Sequence, residues 1–122
     1  MTVARTVELF STVPESLTFK TGETVFRHGD IGRVMYGIIE GTVELQVDGK
    51  PVELIKIGDV FGEGALVQPD SLRASTAIAK TDCKLAVVDE ARFRFLIENT
   101  PMFALEVMRS YSNRLRHFKH PQ

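Results

Sequence analysis

All nine glycines of this 122-residue chain fall between Gly22 and Gly64. A stretch interrupted that often cannot hold long helices, because each interior glycine costs about 1 kcal/mol of helix propensity. It reads instead as short strands joined by tight turns. Residues 42–47 alternate, with Val43, Leu45 and Val47 on one face, the pattern of a half-buried strand. Asp48-Gly49 then supplies the two central residues of a hairpin turn that needs positive φ at both. The chain returns over residues 51–57 with Val52, Leu54 or Ile55, and Ile57 as its apolar positions, and further strands are expected at 24–27, 34–40, 75–79 and 84–88.

After Val88 the hydrophobic period changes. Asp89 is placed to cap a helix over 90–98, where Phe93 and Ile97 share a face. Thr100-Pro101 opens a second helix, with threonine as cap and proline at the first helical position, running to about Phe118. Along it Ala104, Met108, Tyr111, Leu115 and Phe118 recur four, three, four and three residues apart, a narrow apolar seam. The seam serves either to pack the helix on its own domain or to join it to a second copy of the chain. Strands followed by helices make an α+β domain. The expected architecture is an antiparallel β-roll, or double-stranded jelly roll, over about 16–88, with C-terminal helices over about 90–118. The absence of an internal repeat or linker leaves one domain, 1–122.

Composition narrows the function classes. A formal net charge of -1 argues against a whole-protein grip on nucleic acid or acidic lipid. The single cysteine, Cys83, can form neither an internal disulfide nor a thiolate metal cluster. No apolar run is long enough for a membrane helix, and the first residues make a poor signal peptide, so a cytoplasmic location is expected. His28, His117 and His120 do not form the His-x-His pair with a nearby glutamate that jelly-roll metal enzymes use, and no motif supports nucleophilic catalysis. The expectation is a protein that is not an enzyme, with no catalytic cofactor and no metal.

The most informative segment runs from Phe61 to Ala77. Gly62 lets the backbone approach a ligand, and Gly64-Ala65 keep the following turn free of bulk. Residues 63–67 are expected to form one helical turn whose free N–H groups favour an anion. Ten residues beyond Glu63 stands Arg73, whose planar fork of donors suits phosphate. Glu63 is an acceptor suited to a sugar hydroxyl. Plainer readings stand beside these: Arg73 and Glu63 as a structural ion pair, Gly62 and Gly64 as turn glycines, and Asp30, Asp59, Asp70 and Asp82 as turn residues. The basic residues Arg109, Arg114, Arg116 and Lys119 read as a solvated helix face, or as a contact for nucleic acid, a membrane surface or an acidic partner.

At this point the sequence resembles the cyclic nucleotide-binding domain family, whose members include the bacterial catabolite activator protein, regulatory subunits of cyclic-AMP-dependent kinase and cyclic nucleotide-gated channels. The resemblance covers about Phe19 to Phe118. It rests on Phe19 to Glu23 with Val25, Arg27-His-Gly29-Asp30-Ile-Gly32, Met35-Tyr36-Gly-Ile38 through Gly41, Ile57-Gly58-Asp59-Val-Phe61-Gly62-Glu63, and Arg73-Ala74-Ser75-Thr76-Ala77, in that order. It implies a short helical phosphate-binding cassette in which Arg73 pairs with the cyclic phosphate and Glu63 accepts from the ribose 2′-OH. Backbone amides of Gly62, Glu63 and Ala65 would complete the cradle. Gly64, Leu66 and Ser75 fall within the same ligand-binding set. Ala74 stands where cGMP-preferring members often carry threonine or serine, so cAMP is favoured over cGMP. Leu66 and Val67 look like cassette residues that sense the ligand, and the last helix would cap the purine through Phe118, with Tyr111 or Leu115 behind it.

Two features depart from the family pattern. Gly64 replaces a larger aliphatic residue, and the segment before Phe19 is short, so residues 7–10 would give only a fragment of the usual N-terminal helix. The resemblance implies a standalone sensor whose effector is a separate protein or its own dimer partner, joined through the C-terminal helix.

Overall fold

The computed structural model describes residues 15–119, with side chains as far as Arg116. The segment 7–10 and the side chain of Phe118, on which two expectations fall, lie outside the described residues.

Among the described residues, eight strands form two four-stranded antiparallel sheets. They are β1 Ser16–Phe19, β2 Thr24–Phe26, β3 Val34–Glu40, β4 Val43–Val47, β5 Lys50–Ile55, β6 Val60–Phe61, β7 Thr76–Ala79 and β8 Cys83–Asp89. The first sheet has the order β1-β8-β3-β6 and the second β2-β7-β4-β5. Among the described residues there are also three helices: α1 Gly64–Val67, α2 Glu90–Asn99 and α3 Pro101–Lys119. This is the antiparallel β-roll with C-terminal helices that the sequence implies. No helix among the described residues is long and apolar enough to cross a membrane.

Strands β3 and β8 read Val-Met-Tyr-Gly-Ile-Ile-Glu and Cys-Lys-Leu-Ala-Val-Val-Asp, nearly continuous apolar runs, because both of their faces are covered. One face meets the second sheet, where Tyr36, Ile38, Leu85 and Val87 pack with Val43, Ile55, Ala77 and Ala79. The other face carries Met35, Ala86 and Val88 against Leu96 of α2 and Phe103 and Val107 of α3. The α2 and α3 helices are therefore held on the outside of the first sheet.

Most local readings are realised within a residue or two. Asp48 (φ 53°) and Gly49 (φ 75°) make the hairpin turn between β4 and β5. The Asp89 carboxylate accepts a 2.8 Å bond from the backbone N–H of Arg92 at the start of α2. Strand β6 is two residues long, too short to show a period, and is held by pairing with Tyr36 and Gly37. On β4 the apolar face is graded: Val43 is buried, Leu45 half-buried and Val47 exposed. The strand leaves the core as it proceeds, and its last apolar side chains line a cavity instead.

The apolar seam of α3 requires a correction. The face that packs on the domain is Phe103, Val107, Ser110 and Arg114, also spaced four, three and four. Met108 and Leu115 of the seam are 64% and 55% exposed, so the seam does not pack this helix on its own domain. The surface beneath the second half of α3 presents a backbone carbonyl and carboxylates, and a serine and an arginine meet it better than leucine or methionine can.

Candidate functional site

The site is built on the loop between β6 and β7. Gly62 follows β6 with φ +80°, a conformation that favours glycine, and a Cβ there would lie 2.8 Å from the Arg73 guanidinium. One turn of helix, α1, follows at once, and residue 63 caps it through its backbone without a side-chain cap bond. The chain then turns back through Asp70, whose carboxylate accepts from the N–H of Leu72 at 3.0 Å. Arg73 is clamped by its own backbone: its N–H donates to the Asp30 carbonyl at 2.8 Å and its carbonyl accepts from the N–H of Gly29 at 2.9 Å.

The Arg73 side chain points inward and is 5% exposed. Its Nη1 donates to the Gly62 carbonyl at 2.8 Å and its Nη2 to the Val34 carbonyl at 2.7 Å. The guanidinium lies over the Phe26 ring, 4.1 Å from its centroid, and 5.8 Å from that of Tyr36. Phe26, Tyr36 and Phe61 themselves form a close aromatic trio, with centroids 5.3–6.1 Å apart. Burial pushes Arg73 below the usual guanidinium value, with Tyr36, Asp30 and Glu63 acting the other way. The group remains cationic, since arginine does not lose its proton in proteins. A buried cation held only by neutral carbonyls has a stronger partner available in any anion that reaches it.

Glu63 is 2% exposed. It is not ion-paired to Arg73, the plainer reading of the sequence. Its Oε1 accepts from Nη1 of Arg114 at 3.2 Å, and its Oε2 is buried with no hydrogen-bond partner. An orphaned buried acceptor is costly, and a donor that reached it would remove that cost. Ala65 is buried behind the turn, with its N–H on the Gly62 carbonyl at 3.3 Å.

Between these groups lies a cavity of about 320 Å³. The structure brings Gly62, Glu63, Gly64, Ala65, Arg73, Ala74 and Ser75 to its wall, seven of the nine positions singled out in the sequence. Leu66 is not among them: it packs behind α1 against the Met35, Val88 and Phe103 cluster. Phe118 belongs to the last turn of α3, and its side chain is outside the described residues.

Arg114 and Tyr111 also line the cavity and Gly32 stands against Arg73; of the three, only Tyr111 was expected near the ligand, behind Phe118. Arg114 is 12% exposed and reaches Glu63, the Glu53 carboxylate at 3.7 Å and the Val60 carbonyl, so it is not part of a solvated basic face. Tyr111 lines the cavity, and burial followed by the Glu63 charge raises its phenol. Gly32 stands where a Cβ would come within 2.4 Å of the Arg73 guanidinium. The four-three-four spacing from Phe103 to Arg114 was visible in the sequence, but the more apolar neighbouring stripe masked it.

Comparison with known proteins places this geometry. The family described as Cyclic nucleotide-binding domain matches residues 16–100. The cAMP-dependent protein kinase regulatory subunit of Schizosaccharomyces pombe is 37% identical over 97 residues, 79% of this chain and 22% of that protein. The cAMP-activated global transcriptional regulator of Pasteurella multocida is 29% identical over 103 residues, 80% of this chain and 49% of that protein. The chain thus spans less than half the length of these curated relatives. Among solved structures, the Thermus thermophilus catabolite activator protein superposes with a TM-score of 0.76 at 25% identity, over 94% of this chain and 56% of that one.

Proposed function

Because the chain belongs to the cyclic nucleotide-binding domain family, we propose that it is a sensor module for a cyclic purine mononucleotide, cAMP in preference to cGMP, and that it relays binding through α3. One observation carries the reading: Arg73, with its buried guanidinium, and Glu63, with an orphaned buried carboxylate oxygen, line the same 320 Å³ cavity. That volume is at the lower end of small-ligand pockets, which run from roughly 300 to 1,000 Å³. Arg73 supplies the fork for the cyclic phosphate, helped by the backbone of residues 62–65, and Oε2 of Glu63 accepts from the ribose 2′-OH. Ala74 and Ser75 also line the cavity. Ala74 supports cAMP, because a methyl group offers no bond to the exocyclic amine of guanine. The purine would then lie against apolar lining residues such as Val47, Val52 and Tyr111.

The relay requires that the ligand favour one arrangement of α3 over another; otherwise it shifts nothing. Leu66 supports such a relay, since it joins the cassette to the cluster that contains Phe103 and Val107 of α3. The exposed stripe of α3, with Leu105, Met108 and Leu115, supports pairing with a second copy of the chain through the same helix. An effector protein would be the partner downstream of that helix.

Titration calorimetry with cAMP, cGMP and the open-chain 5′-AMP tests the assignment. The expected result is one site, with cAMP tightest and 5′-AMP weakest. A second reading, a ligand-free interaction domain, draws on the same exposed stripe of α3 and on the carbonyl partners that Arg73 already has. No heat with any cyclic nucleotide, together with a tight dimer in sedimentation equilibrium, would select it.

A further inference from the structure

Arg73 and Glu63 are not the only charged groups that the roll brings to the cavity: Glu53 of β5 lines it as well. Its placement breaks the pattern of its strand. Leu45 pairs with Glu53 and Val43 with Ile55, and residues directly opposite in an antiparallel pair project to the same face. Val43 and Ile55 are buried in the core, so Glu53 continues an inward row, whereas Leu54 beside it is 48% exposed. The Glu53 side chain is 14% exposed. A bulge sets this register: the next pair is Gln46 with Pro51, which leaves Val52 as the extra residue. In a regular strand Val52 and Glu53 would point to opposite faces, yet at the bulge both line the cavity. The strands of the second sheet also contribute Phe26, Leu45 and Val47, so among the described residues Glu53 is the one charged group that this sheet gives the cavity.

Resting on the reading of the cavity as a purine nucleotide site, we infer that Glu53 reads the base: its carboxylate accepts from an exocyclic amine on the purine edge and selects such a base against one that presents a carbonyl there. The proposed site lays the purine against Val47 and Val52, and Glu53 follows Val52 in the chain. An ionised carboxylate has only acceptors to offer, about four lone pairs on two oxygens. It can therefore keep its ion pair with Nε of Arg114, at 3.7 Å, and still take a donor from the ligand. A carbonyl in the same place finds no donor and meets like partial charge at close range, and a mismatch of that kind discriminates more sharply than fit alone. Adenine carries an amine where hypoxanthine carries a carbonyl. The preference for cAMP thus gains a basis on β5, independent of the methyl group of Ala74.

The test compares cAMP with cyclic IMP, which replaces that amine by a carbonyl, by calorimetry on the full chain and on Glu53→Gln and Glu53→Leu. The unaltered chain is expected to prefer cAMP by about ten-fold or more, the scale of one hydrogen bond to a charged group. In Glu53→Gln the preference should fall to about two-fold, chiefly because cyclic IMP binds more tightly, since an amide has a donor for its carbonyl. Glu53→Leu, which extends the apolar row of Ile55, should lose the preference as well and covers the case in which the glutamine variant fails to fold. A disturbed Arg114 would weaken both nucleotides alike, so the ratio separates base reading from a merely structural role. If cAMP binds but the unaltered chain shows no preference, or the preference survives in both variants, the inference is overturned while the ligand assignment stands. If the unaltered chain binds neither nucleotide, the ligand assignment itself fails, and this inference with it.

Discussion

The two sides of the cavity are held in different ways. The Arg73 side is woven into the roll: its backbone is clamped by the 29–30 turn, its guanidinium bridges the Gly62 and Val34 carbonyls, and an aromatic trio lies beneath it. The Arg114 side hangs from one helix. Beyond Val107 that helix is fastened by the Ser110 hydroxyl, which donates to Asp59 at 3.0 Å, and by the fork of Arg114. Interdigitated sheet backbone opens only with the whole domain, whereas a helix end held by a few polar contacts opens locally at far lower cost. Under the proposed function the contrast would separate two tasks: an anion seat formed before the ligand arrives, and a sugar contact beside an element able to respond.

That contrast can be broken most forcefully at Phe61, fully buried between the sheets and stacked on Tyr36. Phe61→Ala should cost about 3–5 kcal/mol in urea unfolding and take both sides of the cavity with it. Next comes Gly32→Val, whose new Cβ would meet Arg73 at 2.4 Å and Ala65 at 2.7 Å. The expected penalty is about 1–3 kcal/mol of overpacking, with nucleotide affinity lost by displacement of the guanidinium. A tolerated Gly32→Val with unchanged affinity would show that the Arg73 side is softer than described. Ser110→Ala sharpens the comparison from the other side. It should lower hydrogen-exchange protection in the second half of α3 by about 1 kcal/mol while leaving β3 and β8 untouched. The smallest effect is expected at Gly64→Ala. A Cβ there meets only the Tyr111 hydroxyl, at 3.7 Å, and the φ is not positive, so stability should rise by about 0.5 kcal/mol in thermal unfolding.

The Arg73 side was largely legible in the sequence and the Arg114 side was not, for a physical reason. Glycine spacing, the Asp48-Gly49 turn and the Gly62–Arg73 interval are local chemistry, and local chemistry survives into the fold. The partner of Glu63 is 51 residues away, on a helix whose orientation no local rule sets. The hydrophobic period shows one seam on α3, through Met108 and Leu115, and leaves open whether it packs on the domain or on a second copy. The buried stripe instead ends in Ser110 and Arg114, because it meets Asp59, the Val60 carbonyl and Glu63 rather than a greasy surface. Leu66 was misplaced for a related reason: membership of the cassette says nothing about which side of a single helical turn faces the cavity.

Arg73 as the proposed seat of an anionic ligand is tested most directly by calorimetric titration of cAMP into the unaltered chain and into Arg73→Ala. The expected outcome is one-to-one binding that weakens by more than roughly ten-fold in the variant, because a desolvated phosphate loses its charged partner. Equal affinity in the two proteins would contradict it.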